Sequence, residues 1–105
     1  MLEVVYYETG SGRSEPADYI VTLPVRVKAQ ALADIEAWRL YGTRAPVSWK
    51  PLRGHRPLFE IRVGGHRFYC VTHEQRLWLL QAGPKAHQGR DIEKAAKRMK
   101  HVLGE

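Results

Sequence analysis

Residues 58 to 69 read Leu58-Phe59-Glu60-Ile61-Arg62-Val63-Gly64-Gly65-His66-Arg67-Phe68-Tyr69. Apolar and polar residues alternate on both sides of a Gly-Gly pair, the pattern of a β-hairpin closed by a two-residue turn. A tight turn at Gly64-Gly65 sets Val63 opposite His66 and fixes every earlier pair. Phe59, Ile61, Phe68 and Cys70 then share one face, the expected core face. Glu60, Arg62, Arg67 and Tyr69 share the other. Arg62 directly faces Arg67, and like charges so placed are destabilising. Glu60 is near enough to offset part of that cost. Two arginines on a rigid sheet also suit a phosphate, which a guanidinium grips through paired N–H groups. An ordinary solvated sheet face fits the same residues equally well.

Working outward, a turn around Glu74-Gln75 leads to Arg76-Leu77-Trp78-Leu79-Leu80-Gln81-Ala82. This run is apolar on both faces, so it reads as a central strand covered on both sides, broken by Gly83-Pro84. Residues 91 to 103 form the clearest helix. Ile92, Ala95, Ala96, Met99 and Val102/Leu103 make one apolar stripe, with Lys94, Lys97, Arg98 and Lys100 mainly off it. Asp91 and Glu93 sit at its positive end and the basic residues toward the other, as the helix dipole favours. On the N-terminal side, Leu2 to Tyr7 reads as a first strand, and Gly10-Ser11-Gly12 as the loop that ends it. Pro16 to Ile20 reads as a short helix after Ser14. A longer helix starts at Pro24, buries Val25, Leu32, Ile35 and Trp38, and stops at Gly42. Residues 43 to 57 read as a Pro-rich basic connector, because three prolines oppose a helix. The predicted order is therefore β-α-α-β-β-β-α, an α+β fold with a small antiparallel or mixed sheet.

The chain has 105 residues, enough for one domain spanning 1–105. Its charge is uneven. Residues 1 to 43 hold four Lys/Arg against six Asp/Glu, and residues 44 to 105 hold thirteen against five, a net +8. A basic half points to a polyanion, nucleic acid first and an acidic protein second. The single cysteine, Cys70, lies on the predicted core face, where inert packing is expected. The five histidines never fall at i, i+4 on one helix, and no Cys/His spacing suits zinc, so neither metal nor cofactor is expected. No apolar run approaches the roughly 20 residues that span a bilayer, and no secretory leader is visible. The default expectation is a cytoplasmic protein without a membrane partner.

Three segments together resemble the RelE/HigB superfamily of toxins from type II toxin–antitoxin pairs, and among these the phage-derived HigB-like branch. Lys50-Pro51-Leu52-Arg53-Gly54 followed by Leu58-Phe59-Glu60-Ile61-Arg62 is similar to the family's K-x-L-x-G … L-[YF]-E-[LI]-R. Arg67-Phe68-Tyr69 resembles its Y-R-[VF]-x-Y strand. Leu79-Leu80-Gln81-Ala82-Gly83-Pro84-Lys85-Ala86-His87-Gln88 resembles L-L-H-[GA]-F-x-K-K-x-x, which leads into an A-x-x-R helix, here Ala95-Ala96-Lys97-Arg98. The likeness runs from Glu3 to Leu103. It departs where Pro84 replaces an aromatic and where the lysine pair is reduced to Lys85.

The resemblance implies a RelE/ParE-like fold and a metal-independent endoribonuclease that cuts mRNA, commonly on the ribosome, and that is neutralised by an antitoxin. In that chemistry the 2′-OH attacks the adjacent phosphate and the 5′-oxygen leaves. It needs a base, an acid and positive charge around the phosphorane. Arg62 and Arg67 are the candidates for phosphate contact, Arg62 ahead because it ends the better-matched motif. Lys85 and His87 follow the central strand in a loop. An imidazole titrates near neutrality, which makes His87 the first candidate acid or base. His55 is the second. Tyr69 either stacks on a base, donates a proton, or packs under the last helix. Lys50, Arg53 and His55 are expected to hold the RNA backbone. Alone the chain is expected to be a monomer, with higher assembly coming from the antitoxin. The alternative is a non-catalytic or degenerate RelE/ParE-like module acting on a protein such as gyrase.

Overall fold

The computed structural model describes residues 1–105. The chain runs β1 (Glu3–Tyr6), α1 (Glu15–Thr22), α2 (Val25–Tyr41), β2 (Ser48–Pro51), β3 (Phe59–Val63), β4 (His66–His73), β5 (Arg76–Pro84) and α3 (Gln88–Leu103). One five-stranded sheet has the order β1-β5-β4-β3-β2. All pairs are antiparallel except β1 with β5. The hairpin forms in the register that the Gly-Gly turn dictates: Phe59 faces Cys70, Glu60 faces Tyr69, Ile61 faces Phe68, Arg62 faces Arg67 and Val63 faces His66. Gly64 has φ +58°, a conformation that glycine adopts at little cost. The second turn holds Glu74 and Gln75 at φ +50° and +66°.

The sheet separates two apolar layers. On one side Phe59, Ile61, Val63, Phe68, Cys70, Leu77 and Leu79 pack against Ile20, Ala31, Ile35 and Trp38 of α1 and α2. On the other, Leu52, Leu58, Tyr69, Val71 and Leu80 pack against Ala95 and Met99 of α3. β5 lies between β1 and β4 and beneath helices on both faces, so its apolar run is explained. It extends further than expected, through Gly83 to Pro84, because β1 pairs with β5 only as far as Leu79 and the strand is an edge beyond that point, where a proline is tolerated.

Two readings of the sequence are corrected here. The connector contains an additional edge strand, β2, in which Trp49 faces Ile61 and packs edge-on against Trp38 and Phe59. Prolines are compatible with an edge strand even though they exclude a helix. In α2 the buried residues are Ala31, Ile35 and Trp38, while Val25 is 82% exposed and Leu32 44%. Apolar and polar residues are mixed around that helix, so periodicity alone does not choose its inner face. Trp38 chooses it by stacking on Phe59 with ring centres 4.4 Å apart.

α3 is tied to the sheet through polar groups as well as its apolar stripe. Between Tyr69 and Cys70 the β4–β5 register shifts, so Cys70 faces Leu79 while Tyr69 faces Gln81. Leu80 is the extra residue of this bulge. Arg98 donates to the Leu80 carbonyl oxygen at 2.9 Å and pairs with Glu15 at the start of α1. Lys94 reaches the same carboxylate at 3.2 Å. At the end of β5, Gly83 is covered by Asp91. A Cβ on Gly83 would fall on the Asp91 Oδ2 and lie 3.2 Å from its Cγ. No helix is long and apolar enough to cross a membrane.

Gly83→Ala is expected to destabilise the protein by about 1–3 kcal/mol through overpacking against Asp91, read as a lower urea midpoint. The hydrogen bond from Arg98, supported by Lys94, holds the Glu15 carboxyl below the usual carboxylate range. Its contribution is therefore present at neutral pH and is lost as pH falls through and below that range. Glu15→Gln should flatten the acid limb of the stability–pH curve relative to the unaltered chain.

Candidate functional site

The polar half of the hairpin lies on the α3 side of the sheet. Because side chains alternate, Lys50, Glu60 and Tyr69 form one cross-strand row, and Ser48, Arg62 and Arg67 form the next. Glu60 is the centre of this arrangement and is fully buried. Its Oε2 accepts a hydrogen bond from the Arg62 Nε. Its Oε1 accepts one from the Gln88 Nε2 at 2.9 Å. The Arg67 Nε stands 3.7 Å from the same carboxylate, an ion-pair distance longer than a hydrogen bond. The like-charge clash anticipated for Arg62 and Arg67 is thus neutralised from below by one carboxylate.

The two arginines end up in different states. Arg67 is buried, and its Nη1 donates to the Gly64 carbonyl oxygen at 2.8 Å and to that of His66 at 3.3 Å. It closes the hairpin tip from beneath. The Arg62 side chain is 35% exposed, and Glu60 is its partner through Nε. Its two Nη groups make no hydrogen bond within the protein and are left for the paired contact that an anion can accept. Tyr69 is fully buried in the α3 layer, and its hydroxyl finds no acceptor among the protein atoms. Burial, with the charges of Glu60 and Asp91 adding to it, pushes its phenol well above the ordinary tyrosine value. Of the three sequence readings for Tyr69, the structure realises packing under the last helix.

The remaining candidates lie around this row. Lys50 is exposed on β2 directly opposite Glu60. Arg53 and Arg56 line a shallow pocket with Lys50, Pro51 and Leu52. His55 is half-buried in the turn that reverses the chain, where its N–H donates to the Leu52 carbonyl oxygen at 3.1 Å. Lys85 is exposed, and its N–H donates to the Gly65 carbonyl oxygen at 2.8 Å, so it sits at the hairpin tip. His87 is exposed and its Nδ1 lies 3.1 Å from an Arg90 Nη. It borders a groove of about 520 Å³ between α1 and α3, together with Arg13, Tyr19, Asp91 and Lys94. The structure therefore joins Lys50, Arg62, Arg67 and Tyr69 in neighbouring rows, with Lys85 near the tip, and sets His87 on the groove.

Gln88, Gln81 and Asp91 were given no part in the site by the sequence reading. Gln81 donates to the Asp91 Oδ1 at 3.2 Å, and both are buried under α3. Gln81 sits in an otherwise apolar strand, and a polar residue there must find a buried partner. No such signal exists for Gln88, whose role depends on the tertiary approach of α3. The described residues hold no group of three or more His, Cys, Asp or Glu suited to a metal ion.

No family model matches the sequence, and no curated protein matches it. Among solved structures, the fold is similar to that of a chain in the RelB–RelE antitoxin–toxin complex from Methanococcus jannaschii. The match has a TM-score of 0.61 at 12% identity and covers 71% of this chain and 89% of that one. The α+β architecture is RelE-like.

With an unpartnered buried hydroxyl, Tyr69→Phe is expected to be neutral or to stabilise the protein by up to about 1 kcal/mol in equilibrium unfolding.

Proposed function

We propose that this chain is the toxin of a toxin–antitoxin pair and cleaves mRNA on the ribosome without a metal. The observation that carries this reading is the partly exposed Arg62, held on a rigid sheet beside Lys50 in a RelE-like fold. The complex similar to this chain contains an antitoxin, and the +8 net charge of residues 44 to 105 suits both RNA and an acidic antitoxin.

In the proposed reaction the RNA 2′-oxygen forms a bond to the adjacent phosphorus and the bond from phosphorus to the 5′-oxygen breaks. The products are a 2′,3′-cyclic phosphate and a 5′-hydroxyl. Arg62 binds the non-bridging oxygens, where charge accumulates in the transition state. Lys50, Arg53 and Arg56 hold the flanking backbone. Arg67 supports the same site by fixing the hairpin tip and adding positive charge beneath it. His87, on the loop before α3, is the proposed proton-transfer group, with Lys85 beside the scissile phosphate and His55 the second candidate base. A second reading, a binding module without catalysis, is favoured by the enclosure of Tyr69 and the internal hydrogen bonds of Arg67.

The test is induction of the chain in bacteria with mapping of new mRNA 5′ ends. Growth arrest with cuts inside translated codons is expected. Arg62→Ala should lower cleavage by about 100-fold or more while remaining folded. Arrest with intact mRNA would replace the nuclease reading with the binding one, and a DNA-damage response would point to a gyrase-type target.

A further inference from the structure

We propose that Glu60 is a positioning residue that sets the pose of Arg62 and links it to the start of α3. This rests on the nuclease reading for its consequence in activity, but the positioning itself has a separate readout. A fully buried carboxylate in a small protein demands partners, since an isolated buried charge is very unfavourable. Here the partners are specific. Arg62 is bound through its Nε, not through its Nη groups. The carboxylate therefore engages the Nε side of the guanidinium and leaves both Nη groups without a hydrogen bond inside the protein. A surface arginine without this anchor samples many rotamers, and fixing it beforehand removes that entropy from the binding step.

The other carboxylate oxygen is taken by Gln88, the first residue of α3. Lys85 and His87 immediately precede it. One buried side chain thus joins the phosphate-facing arginine to the loop that carries the proposed proton-transfer groups. Tyr69 lies opposite Glu60 on β4 and closes the site from the α3 side. Arg67 supplies a second positive charge, its Nε 3.7 Å from the same carboxylate. In this scheme Glu60 never touches RNA and acts on cleavage through Arg62 alone, while Gln88 fixes the carboxylate itself.

The test uses the full chain made by cell-free synthesis and labelled with nitrogen-15. The Arg62 Nε–Hε resonance should be sharp and protected in the unaltered protein, and exchange-broadened in Glu60→Gln. Cleavage of an mRNA under translation on ribosomes should fall by up to about 100-fold in Glu60→Gln. In an Arg62→Ala background the same substitution should change cleavage less than twofold. Millimolar guanidinium should restore part of the activity of Arg62→Ala and none of that of the double variant. An unchanged Arg62 resonance in Glu60→Gln would overturn the proposal, as would a loss of activity that multiplies with that of Arg62→Ala. If Glu60→Gln does not fold, Glu60→Asp replaces it. That variant keeps the charge and withdraws it by one methylene. Broadening of the Arg62 resonance again supports the proposal, and a sharp resonance with full cleavage overturns it. Broadening in the variant together with no cleavage by the unaltered chain would uphold the positioning and reject the nuclease reading.

Discussion

A single buried carboxylate sets the terms for the functional face of this protein. The two-residue turn at Gly64-Gly65 forces Arg62 against Arg67 on neighbouring strands, and nothing in the backbone can relieve that repulsion. Glu60 relieves it from within the sheet, at zero exposure, by drawing on both guanidinium groups and on Gln88. Desolvating a carboxylate is expensive, and such clusters are weak evidence of stability gained. Their value lies in geometry. Each member restricts the others, so the outward arginine has few alternatives.

The rest of the fold serves to keep that face dry from below and open from above. Apolar layers cover both sides of the sheet, with α1 and α2 on one and α3 on the other. The β-bulge at Leu80 would leave a carbonyl exposed to this interior, and Arg98 supplies the missing donor while anchoring Glu15. The same helix brings Asp91 onto Gly83 and Gln88 onto Glu60. α3 is thus both a core element and the lid of the polar cluster, which is why its first turn belongs to the site and its apolar stripe to the fold.

Much of this was legible in the residues. Alternation around Gly-Gly fixed the hairpin register to the residue, and the apolar run of β5 announced a doubly covered strand. The stripe of α3 was equally plain. Other features depended on tertiary partners. Trp49 and its neighbours pair as an edge strand only because β3 offers an open edge, while the nearby prolines signal a loop. Val25 and Leu32 fit a helical stripe with Ile35 and Trp38 as well as Ala31 does, and the choice was made by the stacking of Trp38 on Phe59. At the site, the sequence placed Glu60, Arg62, Arg67 and Tyr69 on one face. It left open whether α3 would cover that face; the helix encloses Tyr69, while Arg67 is buried at the hairpin tip and Arg62 stays partly exposed.

The parallel pairing of β1 with β5 carries a kinetic meaning. Glu3 and Arg76 are 73 positions apart and face each other in the sheet. Helices α1 and α2 can form from local contacts, and so can the two hairpins, but the first strand has no neighbour until the last has been made. Such long-range closure slows folding, because the entropy of the intervening loop is lost before the pairing compensates it. During vectorial synthesis β1 therefore waits unpaired until β5 has been polymerised, while the hairpin that carries the anchored arginine needs only its own two strands.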